Sequence, residues 1–271
     1  MDDNGGWRMD RNGAVSLAVR TFGGWGEPVV LLHGLAGHAG EWASVADHLT
    51  GSHRVFGLDL RGHGRSERQP ADVSPQAFCG DVIAVLHALE LGPVHLVGQS
   101  FGGHIGFLVA ATAPAAVASL TVIEADPDAS PPAVMDRVRA WLASWPRPSP
   151  TEKAALAFFA TSSSPETWVA GLEARDGGYW PPFEASVLTA AFEGLSGRSW
   201  WDDWRRIASP TLVIRGDRGE LAAPLAEAMA SSLERAETCT VADAGHDAHL
   251  DQPAAVAEAI RHFAARQLTQ D

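Results

Sequence analysis

The sequence predicts an α/β protein built on a doubly wound, mostly parallel sheet with a helical cap insertion. Short apolar runs without alternation recur at Val29–Leu32, Val55–Leu58, Val94–Val97, Leu120–Ile123 and Leu212–Ile214. Such runs mark strands covered on both faces, the habit of parallel sheets. Helical segments separate them from about residue 28 to 125 and again from about 210 to 267, the alternation of a doubly wound fold. Between Pro127 and Arg206 the character changes to Pro-rich joints and helical patches without a strand pattern. This division gives a core of residues 1–126 and 207–271 and a helical cap of 127–206.

Taken in order, Ala14 to Arg20 alternates apolar and polar residues like a half-exposed or edge strand, and Phe22-Gly23-Gly24-Trp25-Gly26 breaks it. Ser74 to Leu91 reads as a helix: Ser74 can cap it, Pro75 suits its first turn, and Gly92 stops it. Its apolar stripe is Phe78, Val82, Val85, Leu86 and Leu89. The uncharged stretch His104–Ile123 approaches bilayer-spanning length but contains Pro114 and a Gly-rich entry, so it reads as a buried helix running into a buried strand. Pro253 to Gln267 is the C-terminal helix, with Val256, Ile260 and Phe263 inward. Seven of the ten tryptophans lie in the cap, which suggests an apolar pocket beneath it; packing of a small helical layer would also use them. Trp180, Phe183, Trp200 and Trp201 are the candidate substrate contacts.

Charge and cysteine content narrow the function. A net charge of −13 over 271 residues repels phosphate backbones and anionic headgroups, so neither nucleic acid nor a membrane surface is expected as partner. Cys79 and Cys239 are too few and too far apart for a disulfide framework or a cysteine zinc site. The acidic start Met1–Gly6 lacks the basic and apolar run of a signal peptide, so a cytoplasmic location is expected.

The chemistry is carried by Gly98-Gln99-Ser100-Phe101-Gly102-Gly103, placed between the strand Val94–Val97 and the helix Ile105–Ala113. G-x-S-x-G alone is a weak pattern, but a serine on a sharp strand-to-helix turn stands clear of the sheet edge, and flanking glycines let neighbouring chain pass close by. Serine is unreactive at neutral pH unless an imidazole removes its proton, and that imidazole needs a carboxylate to fix its tautomer.

From about Ala14 to Leu268 the chain resembles the α/β-hydrolase fold enzymes with a serine nucleophile, such as esterases and lactonases. Pro28–Leu35, with His33-Gly34, is similar to that family's oxyanion turn, which implies that the N–H groups of Leu35 and Phe101 hold the oxyanion. Asp59–Ser66 resembles a structural turn of the family without a catalytic role. Ala244-Gly245-His246-Asp247 matches the family's catalytic histidine, completing a catalytic triad with Ser100 and an acid. His249 follows three residues on, yet no third ligand or H-E-x-x-H pattern supports a metal.

The acid is open at this level. Family members commonly carry Asp three residues past the glycine that corresponds to Gly216, where this chain has Gly219. Glu220 is one residue further, and Asp217 reads as a turn residue. A second location ends the strand after the nucleophile helix, where Glu124 stands, with Asp126 nearby. That placement resembles haloalkane dehalogenases and zearalenone lactonases, and a carboxylate ending a buried strand is costly unless paired, so Glu124 is favoured.

Serine in place of aspartate at position 100 disfavours dehalogenase and epoxide hydrolase chemistry. The expectation is hydrolysis of an ester or lactone of a small, bulky hydrophobic substrate through an acyl-enzyme, without cofactor or metal. A carbon–carbon bond hydrolase of the same fold and a non-hydrolytic ligand-binding relative are the alternatives.

Overall fold

The computed structural model describes residues 6–13 and 15–267; the acidic residues of Met1–Gly5, together with Ala14 and Leu268, lie outside them. The strands are β1 (Trp7–Asn12), β2 (Val15–Gly23), β3 (Glu27–Leu32), β4 (His53–Asp59), β5 (Val94–Gln99), β6 (Val117–Ile123), the short pair β7 (Glu173–Arg175) and β8 (Gly178–Trp180), β9 (Thr211–Gly216) and β10 (Ala236–Val241). Eight of them form one sheet in the order β1-β2-β4-β3-β5-β6-β9-β10. The two pairings that involve β2 are antiparallel, and every other pairing in this sheet is parallel.

The unalternating runs face two cores. On β3, Val30 and Leu32 pack on one side with Leu58, Leu96, Val122 and Val213, while Val29 and Leu31 pack on the other with Val55, Val97, Ile123 and Ile214. The first core is closed by α2 (Pro75–Ala88), α3 (Phe101–Thr112) and α9 (Ala223–Ser231). The second is closed by α1 (Ala43–Leu49) and α11 (Pro253–Gln267). Helix α2 begins as its sequence requires, with Ser74 Oγ accepting the Ala77 N–H and Pro75 in the first turn.

Between β6 and β9 lie α4 (Pro132–Ser144), α5 (Glu152–Phe158), α6 (Pro165–Ala170), α7 (Ala185–Ser196) and α8 (Trp201–Trp204). Leu142, Trp145, Ala155, Phe159, Val169, Phe183 and Leu188 make a third core there, joined by Ala36 from the turn after β3. The end of this segment belongs elsewhere: Trp200 and Trp204 are buried in the core beneath α3. A strandless middle was expected, yet β7 and β8 form a hairpin there. Its three-residue strands are too short to show alternation, although Asp176-Gly177 is a turn signal for it. β1 also escaped the sequence reading, because WRMDRN is polar and pairs on one side only.

Candidate active site

The carboxyl ends of β3, β5, β6 and β9 lie side by side, with Leu32 opposite Gly98, Gln99 opposite Ile123, and Ile123 opposite Ile214. Everything that follows is built on that edge, where loops leave the sheet.

Ser100 follows β5 directly and has φ 49° and ψ −117°, a conformation that non-glycine residues rarely adopt. The sharp turn demands bare backbone on both sides. A Cβ at Gly98 would lie 2.2 Å from the Gly102 carbonyl oxygen, and one at Gly102 would lie 2.4 Å from that of His33. The Ser100 N–H donates to the Ile123 carbonyl at 2.8 Å, pinning the turn to the end of β6. Phe101 opens α3, so its N–H has no intrahelical partner. Leu35 and Phe101 both line the same cavity as Ser100, and the Gly34 backbone lies against the Ser100 side chain. His33 secures that turn: its Nε2 accepts the Leu60 N–H at 3.0 Å, which leaves Nδ1 to donate to the Gly34 carbonyl at 2.8 Å. Burial holds this imidazole below its ordinary pKa, despite the neighbouring acids.

His246 arrives on the loop after β10. Its Nε2 is 2.9 Å from Ser100 Oγ, and Gln99 Nε2 donates to the His246 carbonyl at 3.0 Å. On the far side of the ring, Nδ1 is 3.5 Å from Glu124 Oε2 and 3.8 Å from Glu220 Oε2. Both are ion-pair separations, longer than a formed hydrogen bond, and contacts of this kind commonly tighten in the Michaelis complex. Burial works against a charge on His246, but the contact with Glu124 and the negative charges of Asp247, Glu220 and Glu124 outweigh it, raising its pKa above the usual histidine value.

The two candidate acids differ in how they are held. The Glu124 side chain is 0% exposed, and its residue has φ 50°. Its Oε1 accepts the Gly216 N–H at 2.8 Å, and its Oε2 accepts those of Glu220 and Leu221 at 2.7 and 3.1 Å. The Glu220 side chain is 67% exposed and also faces Arg137 at 3.9 Å. Gly219 explains the difference, because a Cβ there would sit 2.0 Å from Glu124 Oε1. The glutamate at 124 thus occupies the room that a side chain at 219 would need. Asp217 accepts the Ala244 N–H and shapes that turn. Asp126 accepts the Asp128 N–H at the cavity wall; burial raises its pKa, that hydrogen bond opposes the rise, and the charges of Asp128 and Glu124 add to it. Asp59, the last residue of β4, accepts the N–H groups of Ala39 and Arg65, a purely structural use.

Above Ser100 lies a cavity of about 1000 Å³. The insertion covers it with Val134, Val138 and Trp141 of α4, Phe159, Trp168 of α6, and Phe192 and Leu195 of α7. The four aromatic residues expected to contact substrate do not line it. Phe183 is packed against Trp145 inside the insertion, and Trp180 lies on β8. Trp200 donates its indole N–H to the Leu195 carbonyl, and Trp201 donates to Asp128. The aromatic wall contributed by the insertion is instead Trp141, Phe159, Trp168 and Phe192. A signal for it exists in the sequence, since Val134, Val138 and Trp141 share one face of a helix at i, i+4 and i+7. His104, one turn past Ser100 on α3, also lines the cavity and went unnoticed; burial pushes its pKa down to about 3, with a contribution from Arg198. Among the described residues, no group of three His, Cys, Asp or Glu side chains is placed to hold a metal ion, and no helix is long and apolar enough to cross a membrane.

A hydroxyl bonded to an imidazole that faces a buried carboxylate, beside two cavity-lining turns, can be activated for attack on a carbonyl. Comparison with known proteins identifies the family. The chain is 30% identical to a 3-hydroxybutyrate-oligomer hydrolase from Cupriavidus necator, across 88% of this chain and 90% of that one. It is 38% identical to an (E)-2-((N-methylformamido)methylene)succinate hydrolase from Acinetobacter baylyi, but this match spans 37% of the chain and only 38% of that relative's length. A solved E-2-(acetamidomethylene)succinate hydrolase has the same fold, with a TM-score of 0.87 at 22% identity over 95% of this chain and 98% of the other. The family model described as alpha/beta hydrolase fold matches residues 27–253. The chain therefore belongs to the alpha/beta hydrolase fold family, a family of hydrolases.

Proposed function

We propose that the protein is a serine hydrolase that cleaves an ester or lactone of a bulky, uncharged hydrophobic substrate through an acyl-enzyme. In this reading Ser100 Oγ attacks the carbonyl carbon while His246 Nε2 takes its proton. The N–H groups of Leu35 and Phe101 stabilise the oxyanion, and Glu124 stabilises the imidazolium. Collapse expels the alkoxide, which leaves with the proton from His246. Water, deprotonated by His246, then attacks the acyl-enzyme and releases the carboxylic acid, regenerating Ser100. The single observation that carries the reading is the 2.9 Å contact of His246 Nε2 with Ser100 Oγ, backed by Glu124 on the opposite side of the ring.

Substrate preference is inferred from the cavity. Trp141, Trp168, Phe159, Phe192 and Val138 offer apolar surface, while Asp126, Glu220 and Asp247 at the same wall oppose an anionic ligand. The Cupriavidus relative, named for hydrolysis of 3-hydroxybutyrate oligomers, lends support to hydrolysis of an oxygen-linked acyl group. A reducing, cytoplasmic setting goes with this reading, supported by two unpaired cysteines.

The test is intact mass after incubation with a fluorophosphonate, on wild type, Ser100→Ala and His246→Ala. One adduct on wild type, absent from both variants, is expected, together with loss of ester turnover in Ser100→Ala. No adduct on wild type refutes the reading and favours the carbon–carbon hydrolase or binding alternatives.

A further inference from the structure

Behind the Ser100–His246 contact lies a second carboxylate–imidazole pair that the reaction does not use. Glu41 stands in the short 3-10 turn Ala39–Trp42, and His249 in the short helix α10 (Ala248–Asp251), three residues past His246. Glu41 Oε1 and His249 Nε2 are 3.2 Å apart, with side-chain exposures of 4% and 1%. The contact joins positions 208 residues apart. Among the described residues it is the one side-chain hydrogen bond between the segment 33–42 and the segment 243–251.

Each partner is itself fixed. Glu41 Oε2 accepts the His38 N–H at 3.3 Å and forms a capping box with that turn. The carboxylate lies against Gly37, whose N–H returns to the Gly34 carbonyl at 3.1 Å. The turn so bound is the one that carries the Leu35 N–H. The His249 ring lies on Trp42 with centroids 4.4 Å apart, and Trp42 is wholly buried in the core between β3 and α1. Burial would push the Glu41 carboxyl up, but the hydrogen bond and charge of His249, with His33 and His38, hold it below the usual carboxylate value. A buried polar pair of this kind gains little over apolar packing, so its use here calls for a geometric reason.

We propose that Glu41 and His249 are positioning residues: their buried contact braces the turn bearing the Leu35 N–H against the loop bearing His246, fixing the oxyanion donor and the general base at one separation. The inference rests on the proposed function, because it assigns the pair to that same reaction. It acts through the transition state, where small misplacements are costly, and not through substrate affinity.

Two variants test it. Glu41→Gln can keep the His38 N–H on its amide oxygen and donate its NH₂ to His249 Nε2, which accepts when the imidazole carries its proton on Nδ1. The double variant Glu41→Met/His249→Leu keeps apolar packing and removes the tie. Each is measured for melting temperature, kcat and KM on a chromogenic ester, affinity for a phenylboronic acid that mimics the tetrahedral adduct, and end-point fluorophosphonate labelling. In the double variant, kcat per labelled serine should fall about 10- to 100-fold with KM within about threefold, and boronate affinity should fall in parallel. Glu41→Gln should stay within about threefold of wild type in both. Should the double variant not fold, His249→Phe, which keeps a ring on Trp42 without the hydrogen bond, is read the same way. A folded variant lacking the tie whose kcat and boronate affinity stay within about twofold of wild type overturns the brace. So does a loss that tracks only the fraction of labelled enzyme. Failure of wild type to label sinks the proposed function itself, whereas normal labelling with an unaffected variant sinks the brace alone.

Discussion

Replacing the two acids near His246 one at a time separates their roles. At 3.5 Å from Nδ1 and with a fully buried carboxylate, Glu124 interacts with an imidazolium by about 5 kcal/mol at an effective dielectric constant of about 20. Glu220 is at 3.8 Å but two-thirds exposed, so solvent screening reduces its share to about 1 kcal/mol or less. Loss of the charge in Glu124→Gln should therefore lower kcat/KM by about 10³- to 10⁴-fold, against less than about fivefold for Glu220→Gln. The amide also costs stability. With its oxygen toward the N–H groups of Glu220, Leu221 and His246, its NH₂ meets the Gly216 N–H, donor against donor. One unsatisfied pair of this kind costs about 1–3 kcal/mol, read as a lower melting temperature. Initial rates on a chromogenic ester, corrected for folded fraction by thermal melts, provide the assay. Equal losses in the two variants, or more than a tenth of wild-type kcat/KM surviving in folded Glu124→Gln, would refute the reasoning.

Further outcomes follow from the same geometry. In the proposed mechanism His246 serves as base only when neutral, and its pKa is raised, so kcat/KM should rise with pH through a midpoint above 6.5, and Glu124→Gln should move that midpoint down; a midpoint below 6.5 in wild type contradicts the site electrostatics. Gly219→Asp should cripple turnover by driving its Cβ into the Glu124 carboxylate, and adding Glu124→Ala should restore part of the loss, since the new aspartate then has the room; equal rates for Gly219→Asp and wild type would show that the acids do not compete. Arg61 meets Asp81 through two 2.6 Å hydrogen bonds in a buried pair, so Asp81→Ala should destabilise by about 3–5 kcal/mol in a denaturant titration, with a change under about 1 kcal/mol counting against a buried, unshielded guanidinium.

Much of the fold was legible because its physics is local. Runs such as Val29–Leu32 are apolar on both sides, as a strand between two helical layers must be, and Ser74-Pro75 announces a helix start in two residues. Ser100 was legible because its turn needs Gly98 and Gly102 at fixed offsets. The acid was legible only as a preference for Glu124 over Glu220, because what sets the two apart is backbone N–H groups at 216, 220 and 221 converging on a side chain more than ninety residues earlier. Gly219 was visible as a departure from the family pattern, but only the folded chain shows that it makes space for Glu124. The cavity wall was hidden for a similar reason. Trp180, Phe183, Trp200 and Trp201 are as aromatic as Trp141 and Trp168, and which of them face the cavity is decided by packing among α4 to α8.

The separate core of Leu142, Trp145, Phe159 and Phe183 divides labour within the chain. Val134, Val138 and Trp141 present themselves to the cavity from a layer with a core of its own, joined to the sheet side through Ala36 and through Ala191 and Leu195 of α7. On the proposed function, exchanging these side chains redraws which molecules enter while Ser100, Glu124 and His246 keep their places. Diversity at positions 134, 138 and 141 is the place to look for new substrate ranges, with 134 the freest, since Val138 packs on this core and Trp141 meets Trp145 and Trp168 edge-on.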